Sequence, residues 1–194
     1  SNGKVKSYVK NAAGGFIKVG RANSNENSFD NTVTSSVGDN TQITAGSDFR
    51  LHANFDLQKF EVDAIAHGGG FLAFAKANAE ANITNTATTT IGKNARIEAD
   101  TLDVLAHVSR MKADAYGESI AGGFTGTSNA YGYVDVTSTV SNTLLGDPDT
   151  EFGTQLIGWK GVDIRAVHLP DNYVLDGHKK SRFYGISIAG GGFG

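Results

Sequence analysis

The chain has 194 residues, of which 39% are apolar and 19% charged, and this composition is typical of a folded protein with one sizeable core. Its formal net charge of −3 and its scattered Lys and Arg residues provide no basic patch for phosphate groups, so we expect no nucleic-acid partner. No apolar stretch approaches the roughly 20 residues that span a bilayer, and Cys is absent, so we expect no membrane insertion, no disulfides and no Cys-based zinc site.

Glycine clusters mark an internal repeat. A small residue or His, two glycines and a phenylalanine recur along the chain, and the phenylalanines are Phe16, Phe71, Phe124 and Phe193. Successive members of this set are 55, 53 and 69 residues apart. A second marker ends in glycine at intervals of 54 residues, at Gly38, Gly92 and Gly146. Self-similarity at such a period is typical of solenoids and other repeat arrays.

These markers divide the chain into a single array. The predicted units are residues 1–15 as the tail of a preceding repeat, 16–70, 71–123 and 124–192 as three repeats, and 193–194 as the start of a further one. We therefore expect a segment of a longer array, with end faces that no capping segment covers.

Residues 71–91 alternate between apolar and polar side chains. From Phe71 to Ile91 the odd positions are mostly Ala and Ile, and the even positions are mostly Asn and Thr. A period of two predicts β-structure with one buried and one wet face, whereas a helix would scatter the alanines around its surface. Because typical strands have about 5 to 6 residues, we expect bends within this stretch. The alternation changes parity near Ser109 and Arg110, which predicts a corner or bulge there.

The glycine pairs predict further corners, because glycine adopts backbone angles that are closed to other residues. The expected corner residues are Gly14, Gly15, Gly69, Gly70, Gly122, Gly123, Gly190 and Gly191.

Together these patterns predict an all-β fold, a parallel β-helix or β-solenoid built from repeats of about 54 residues. Residues 85–88 are expected to stack on residues 31–34 and to form side-chain ladders. A repeat of this length corresponds either to two or three coils or to one wide, flattened coil. An antiparallel hairpin array with the glycine pairs as its turns is the structural alternative.

The glycine pairs, the long Ala/Thr/Asn alternation, the turn over residues 90–99 and the apolar triplet Leu102, Val104 and Ala106 resemble the repeat regions of large bacterial surface proteins. These are the filamentous-haemagglutinin-like and autotransporter-like adhesins. The resemblance implies a secreted, extracellular stalk or filament at the bacterial cell surface. The absence of Cys fits such proteins, which are exported unfolded.

The third repeat is longer than the others, and its excess falls in residues 145–162 and 166–184. Insertions in solenoids form loops on one face, where binding often occurs. The expected ligand-binding residues are Trp159, His168, Tyr173 and Ile186. Ile186 is the one difference between YGESIAGG at residues 116–123 and YGISIAGG at residues 184–191, where it replaces Glu118 on the predicted outward face.

A short cluster in the second insertion could hold a divalent metal, although polar residues of a solvated loop would have the same composition. Its members are His168, Asp171, Asp176 and His178. Asp147, Asp149 and Glu151 could bind calcium, but Pro148 between the two aspartates also fits a simple turn. We expect no other cofactor.

Three functions follow from these patterns. The leading hypothesis is a non-enzymatic structural segment of an adhesin, stalk or filament that self-associates through its ends or strand edges. The second is a binding module for a glycan, a protein or a surface through the insertions of the third repeat. The last is a carbohydrate-active β-helix enzyme, which would need two or three carboxylates converging on one face.

Overall fold

The computed structural model describes residues 3–109, 112–146, 153–168 and 183–190. Within these ranges the secondary structure is β-strand without helix, and the strands are β1 (Gly3–Gly14), β2 (Ile17–Val37), β3 (Gln42–Thr44), β4 (Asp48–Phe55), β5 (Leu57–Ile91), β6 (Arg96–Val108), β7 (Lys112–Leu144), β8 (Gln155–His168) and β9 (Phe183–Gly190). None of the described residues belongs to a helix that could cross a membrane.

The strands form two sheets in which every described pair is parallel. In the first sheet β5 pairs with β1 and β2 on one side and with β7 on the other, and β7 also pairs with β9. In the second sheet β6 pairs with β3, β4 and β8. The all-β class is confirmed. The alternative of an antiparallel hairpin array is wrong for these strands, because adjacent strands run in the same direction.

Neighbouring strands belong to successive repeats. Ala77 of β5, for example, lies opposite Ala22 of β2 and Ala130 of β7. Partners that are a third or half of a repeat apart, as two or three coils per repeat would require, do not occur among the described pairs.

The second half of β5 is buried on one face along its whole length, as the alternation predicts. Its buried positions are Ala73, Ala75, Ala77, Ala79, Ala81, Ile83, Asn85, Ala87, Thr89 and Ile91. Alanine suits these positions because a small side chain allows the facing backbone to approach closely. One core cluster combines this half of β5 with Phe60 and Val62 from the first half, and a second joins Ile91 to Ile97, Leu102 and Val104 of β6.

Gly70 is the bend that brings the two halves of β5 together. Its backbone φ is 155°, a value that residues with a side chain rarely adopt. Just before it, a Cβ on Gly68 would lie 2.8 Å from the carbonyl oxygen of Phe74, so the chain after the bend passes directly against the chain before it. Gly117 and Tyr131 approach each other in the same way in β7.

A second type of turn precedes β3 and β6. Asn40 and Asn94 have φ values of 54° and 55°, in the left-handed region that asparagine tolerates. The two turns are linked, since the Lys93 amide donates to Asp39 Oδ1 over 2.7 Å and the Asn40 amide donates to the Lys93 carbonyl over 2.7 Å. Ser109 lies between β6 and β7, whereas Arg110 is outside the described residues.

Candidate functional site: the interfaces between repeats

A buried polar ladder fixes how one repeat sits on the next. Asn31 donates from Nδ2 to Asn85 Oδ1 over 2.9 Å, and Asn85 donates from Nδ2 to Ser138 Oγ over 3.4 Å. Asn85 is 0% exposed, so hydrogen bonds within the protein must replace those that its amide would make with water. A one-residue shift of either neighbouring strand would move Asn31 or Ser138 to the other face of the sheet and break these hydrogen bonds, and the ladder therefore specifies the register. The predicted stacking of residues 85–88 on residues 31–34 is confirmed.

Thr89 provides a second buried rung. Its hydroxyl donates to Asn142 Oδ1 over 2.6 Å, and the Thr89 side chain is buried. On the opposite face of β5, the hydroxyls of Thr88 and Ser141 lie 3.2 Å apart. Hydrogen bonds between repeats therefore line both faces of β5.

Three phenylalanines form an aromatic ladder along the bend. The ring centroids of Phe16 and Phe71 are 5.0 Å apart, those of Phe71 and Phe124 are 4.9 Å apart, and the ring planes are within 4° of parallel. This spacing matches the distance between neighbouring strands, about 4.8 Å, so each repeat contributes one ring at the same height. Phe71 was expected inward with Ala73, and this is wrong, because Phe71 is 45% exposed. The bend at Gly70 separates it from the alternation that follows.

Asp103 links three successive repeats. His52 donates from Nε2 to Asp103 Oδ2 over 2.8 Å, and Arg165 donates from Nη2 to Asp103 Oδ1 over 3.3 Å. Partial burial acts to raise the pKa of Asp103, but the hydrogen bonds and charges of His52 and Arg165 outweigh it and hold that pKa below its ordinary value. The carboxylate stays ionised between the His52 ring and the Arg165 guanidinium.

Glu118 makes the same kind of link in the first sheet. It accepts hydrogen bonds from the Tyr116 hydroxyl and, over 3.0 Å, from His67 Nε2. These two bonds, the one from Tyr116 first, lower the pKa of Glu118 despite partial burial. The geometry repeats that of Asp103, because each carboxylate stands two residues before the residue that pairs with the histidine, Leu105 for His52 and Ile120 for His67.

The predicted ligand-binding residues are only partly covered by the described ranges. Trp159 lies in β8 and is 70% exposed. The backbone of Ile186 in β9 lies opposite Glu118, and His168 is the last residue of β8. Tyr173 is outside the described residues.

Both predicted metal clusters fall largely or wholly outside the described residues. This applies to Asp171, Asp176 and His178 of the first cluster and to Asp147, Asp149 and Glu151 of the second. Within the described part of the chain no group of three or more His, Asp or Glu side chains is arranged to hold a metal. Both metal sites therefore stay predictions.

The sequence reasoning missed an exposed aromatic surface on the outer face of the first sheet. The large apolar residues exposed on or beside this face are Phe16, Ile17, Val19, Phe71, Phe74, Phe124, Tyr131 and Tyr133. Tyr131 and Tyr133 stack with their centroids 6.2 Å apart. The signal in the sequence is weak, because apart from the phenylalanine ladder these residues differ from repeat to repeat at equivalent positions.

Comparison of the chain with models of protein families, with curated proteins and with solved structures gives no match. The resemblance to adhesin repeats therefore stays a prediction.

Proposed function

We propose that this chain is a structural β-solenoid segment of a bacterial extracellular adhesin, stalk or filament, without enzymatic activity. The observation that supports it is the register, in which β5 pairs in parallel with its counterparts about one repeat before and one repeat after it. One coil then corresponds to a whole repeat. The chain bends at Gly70, turns at Asn94, follows β6 and enters β7, which lies beside β5.

The burial of inward side chains supports a structural function in which each repeat is stabilised by the repeats stacked on either side of it. The inward positions of β5 and β6 in the central repeat are almost fully buried, whereas the equivalent Ala130 and Val162 of the third repeat are half-buried and exposed. In repeat arrays stability is approximately a sum of repeat terms and nearest-neighbour interface terms. The buried polar ladder through Asn85 and the aromatic ladder through Phe71 contribute to such interface terms, and their contacts recur along the stacking direction.

Unpaired strand edges provide the means of further assembly. Among the described strands, β2 pairs with β5 alone, as does the part of β7 that follows Gly123. Each of these long edges presents amide and carbonyl groups to another repeat or to a second copy of the chain. Self-association through the ends is thus part of the proposal.

Asp103 and Glu118 fit a structural role better than a catalytic one. A glycosidase needs one carboxyl group with a raised pKa to protonate the leaving group. Asp103 and Glu118 instead have lowered pKa values because cations and hydroxyl groups hold them ionised.

Electron microscopy of the purified protein tests the proposal, with X-ray fibre diffraction of aligned material. We expect rods or fibres that diffract at about 4.8 Å along their long axis, because the strands lie across the stacking direction. Compact globular particles that never associate at high concentration would contradict it.

A binding module is the second candidate, and the exposure of Trp159 favours it. A tryptophan that is 70% exposed on a strand, near exposed Val162 and Ile164, is a typical anchor for a glycan or a protein partner. Replacing Trp159 by Ala should abolish retention on a glycan array or on immobilised extracellular-matrix proteins. Leu144→Ala, which removes an exposed apolar side chain of β7 outside the insertions, is the control that should retain binding.

A further inference from the structure

A shallow groove of about 270 Å³ crosses the outer face of the first sheet beside the phenylalanine ladder. Two rows of residues line the groove, and each row has one residue from each of three neighbouring strands, β2, β5 and β7. The first row is Val19, Phe74 and Thr127, and the second row is Arg21, Lys76 and Asn129. The rows are parallel to the stacking direction and two residues apart along each strand.

The first row is an apolar floor that remains open to solvent. Val19 is 50% exposed and Phe74 is 43% exposed. Phe74 is not part of the aromatic ladder, so the face of its ring is not covered by Phe71 or Phe124 in the way that the ladder rings cover each other. An exposed aromatic ring between polar neighbours is a typical platform for a flat, partly apolar ligand.

The second row places two cations side by side. Arg21 and Lys76 are directly opposite each other on adjacent strands, an arrangement of like charges that destabilises a sheet. No carboxylate of the described residues lies within ion-pair distance of either side chain. Several other cations have a carboxylate partner, for example Lys6 with Asp63 over 3.1 Å and Arg96 with Glu98 over 3.0 Å. In a chain with a net charge of −3, this uncompensated pair is complementary to an anionic ligand.

We propose that this groove binds an acidic polysaccharide, a chain of sugars that carry carboxylate groups. A chain laid along the stacking direction would place the apolar faces of its sugar rings on Phe74 and Val19. Its carboxylates would meet Arg21 and Lys76, and Thr127 and Asn129 would hydrogen-bond its hydroxyl groups. This site lies in the first sheet, whereas β8, the described strand between the two insertions, belongs to the second sheet, and binding at the groove does not depend on assembly into filaments.

The geometry favours a polysaccharide over an acidic peptide. The groove is shallow, so it offers no deep pocket for peptide side chains, and it lies on a sheet face, where the backbone groups of β5 are already paired on both sides. Strand addition, the usual way in which an extended peptide gains affinity, is therefore closed over β5 at the centre of the groove, and the unpaired edges of β2 and β7 border the groove without forming its floor.

Affinity gel electrophoresis of the full chain tests the proposal, with sodium polygalacturonate, neutral dextran or poly-L-glutamate in the gel. Retardation is expected with polygalacturonate alone, and added salt should weaken it because exposed charges are screened. The R21Q/K76Q variant should lose about tenfold or more in affinity, and the F74L variant should lose affinity because it lacks the ring.

The matched control is R50Q/K160Q, which removes the same charge from side chains that are paired with Asp48 and Asp100 in the second sheet. It should keep nearly the whole affinity, and circular dichroism should show that every variant retains the parent's secondary structure. The proposal is overturned if R21Q/K76Q binds as the parent does, or if the control loses as much affinity as R21Q/K76Q. Stronger retardation by poly-L-glutamate would overturn it in favour of an acidic protein partner, and unchanged binding by F74L would remove the sugar-stacking role of the ring.

Discussion

Gly70 is the residue at which one added methyl group should reveal how tightly the repeats are stacked. Its backbone φ is 155°, and a Cβ on it would overlap the carbonyl oxygen of Gly15 in the preceding repeat. Its neighbour Gly69 belongs to the same bend, yet a Cβ on Gly69 would meet no atom within 4 Å. The variants Gly70→Ala and Gly69→Ala therefore form a matched pair.

Two costs add up at Gly70. Holding a residue that has a side chain in a sparsely populated backbone region destabilises the folded state by about 1–3 kcal/mol. Forcing a methyl group into a filled space destabilises it by about 1–3 kcal/mol more. The free energy of unfolding should fall by about 2–6 kcal/mol, a large share of the about 5–15 kcal/mol of a typical domain. For Gly69→Ala the expected change is within about 1 kcal/mol and favourable in sign, because alanine restricts the unfolded chain.

Urea unfolding followed by far-ultraviolet circular dichroism measures both variants. The slope of the transition should stay constant for Gly69→Ala, so that its midpoint reports stability directly. If Gly70→Ala and Gly69→Ala differ by less than about 0.5 kcal/mol, neighbouring repeats do not meet at Gly70 as closely as described, and the reasoning fails.

Two further predictions concern the polar contacts between repeats. Asn85→Leu should lower the free energy of unfolding by about 1–3 kcal/mol, since it removes the hydrogen bonds of the Asn85 amide with the half-buried Asn31 and Ser138. Asn82→Leu on the outer face should be nearly neutral, and equal thermal shifts for both variants would contradict the ladder. Asp103 and Glu118 have lowered pKa values in the folded state, so their stabilisation is present above their ordinary pKa values of about 4 and is lost as the pH falls below them. The melting temperature should therefore fall on acidification, and it should fall less steeply in D103N/E118Q; an unchanged slope would rule out this origin.

The alternation of small and polar residues was sufficient to predict the buried face of β5 and its stacking on β2. Both follow from local rules, because side chains on a strand alternate and equivalent residues of successive repeats pair. The rule fails at Phe71, since alternation holds only within an unbroken strand and the bend at Gly70 resets it.

The contacts of His52 with Asp103 and of His67 with Glu118 could not be predicted from the sequence. The contact of His52 runs diagonally to Asp103, which stands two positions before Leu105, the residue that pairs with His52. Such diagonal contacts depend on the exact register and on side-chain length. The groove could not be predicted from the sequence for a different reason. Val19, Phe74 and Thr127 occupy equivalent positions on neighbouring strands but are different residue types, so no repeated motif marks them.

The one-repeat register has a mechanical consequence. A stack with this pairing advances by one strand spacing, about 4.8 Å, for every repeat of some 54 residues, whereas a helix of that many residues would span about 80 Å. Most of the polypeptide therefore contributes to the width of such a stack and not to its length. Because resistance to bending grows steeply with the width of a beam, a column of such repeats, if the chain assembles as proposed, would bend far less under load than a slender tether.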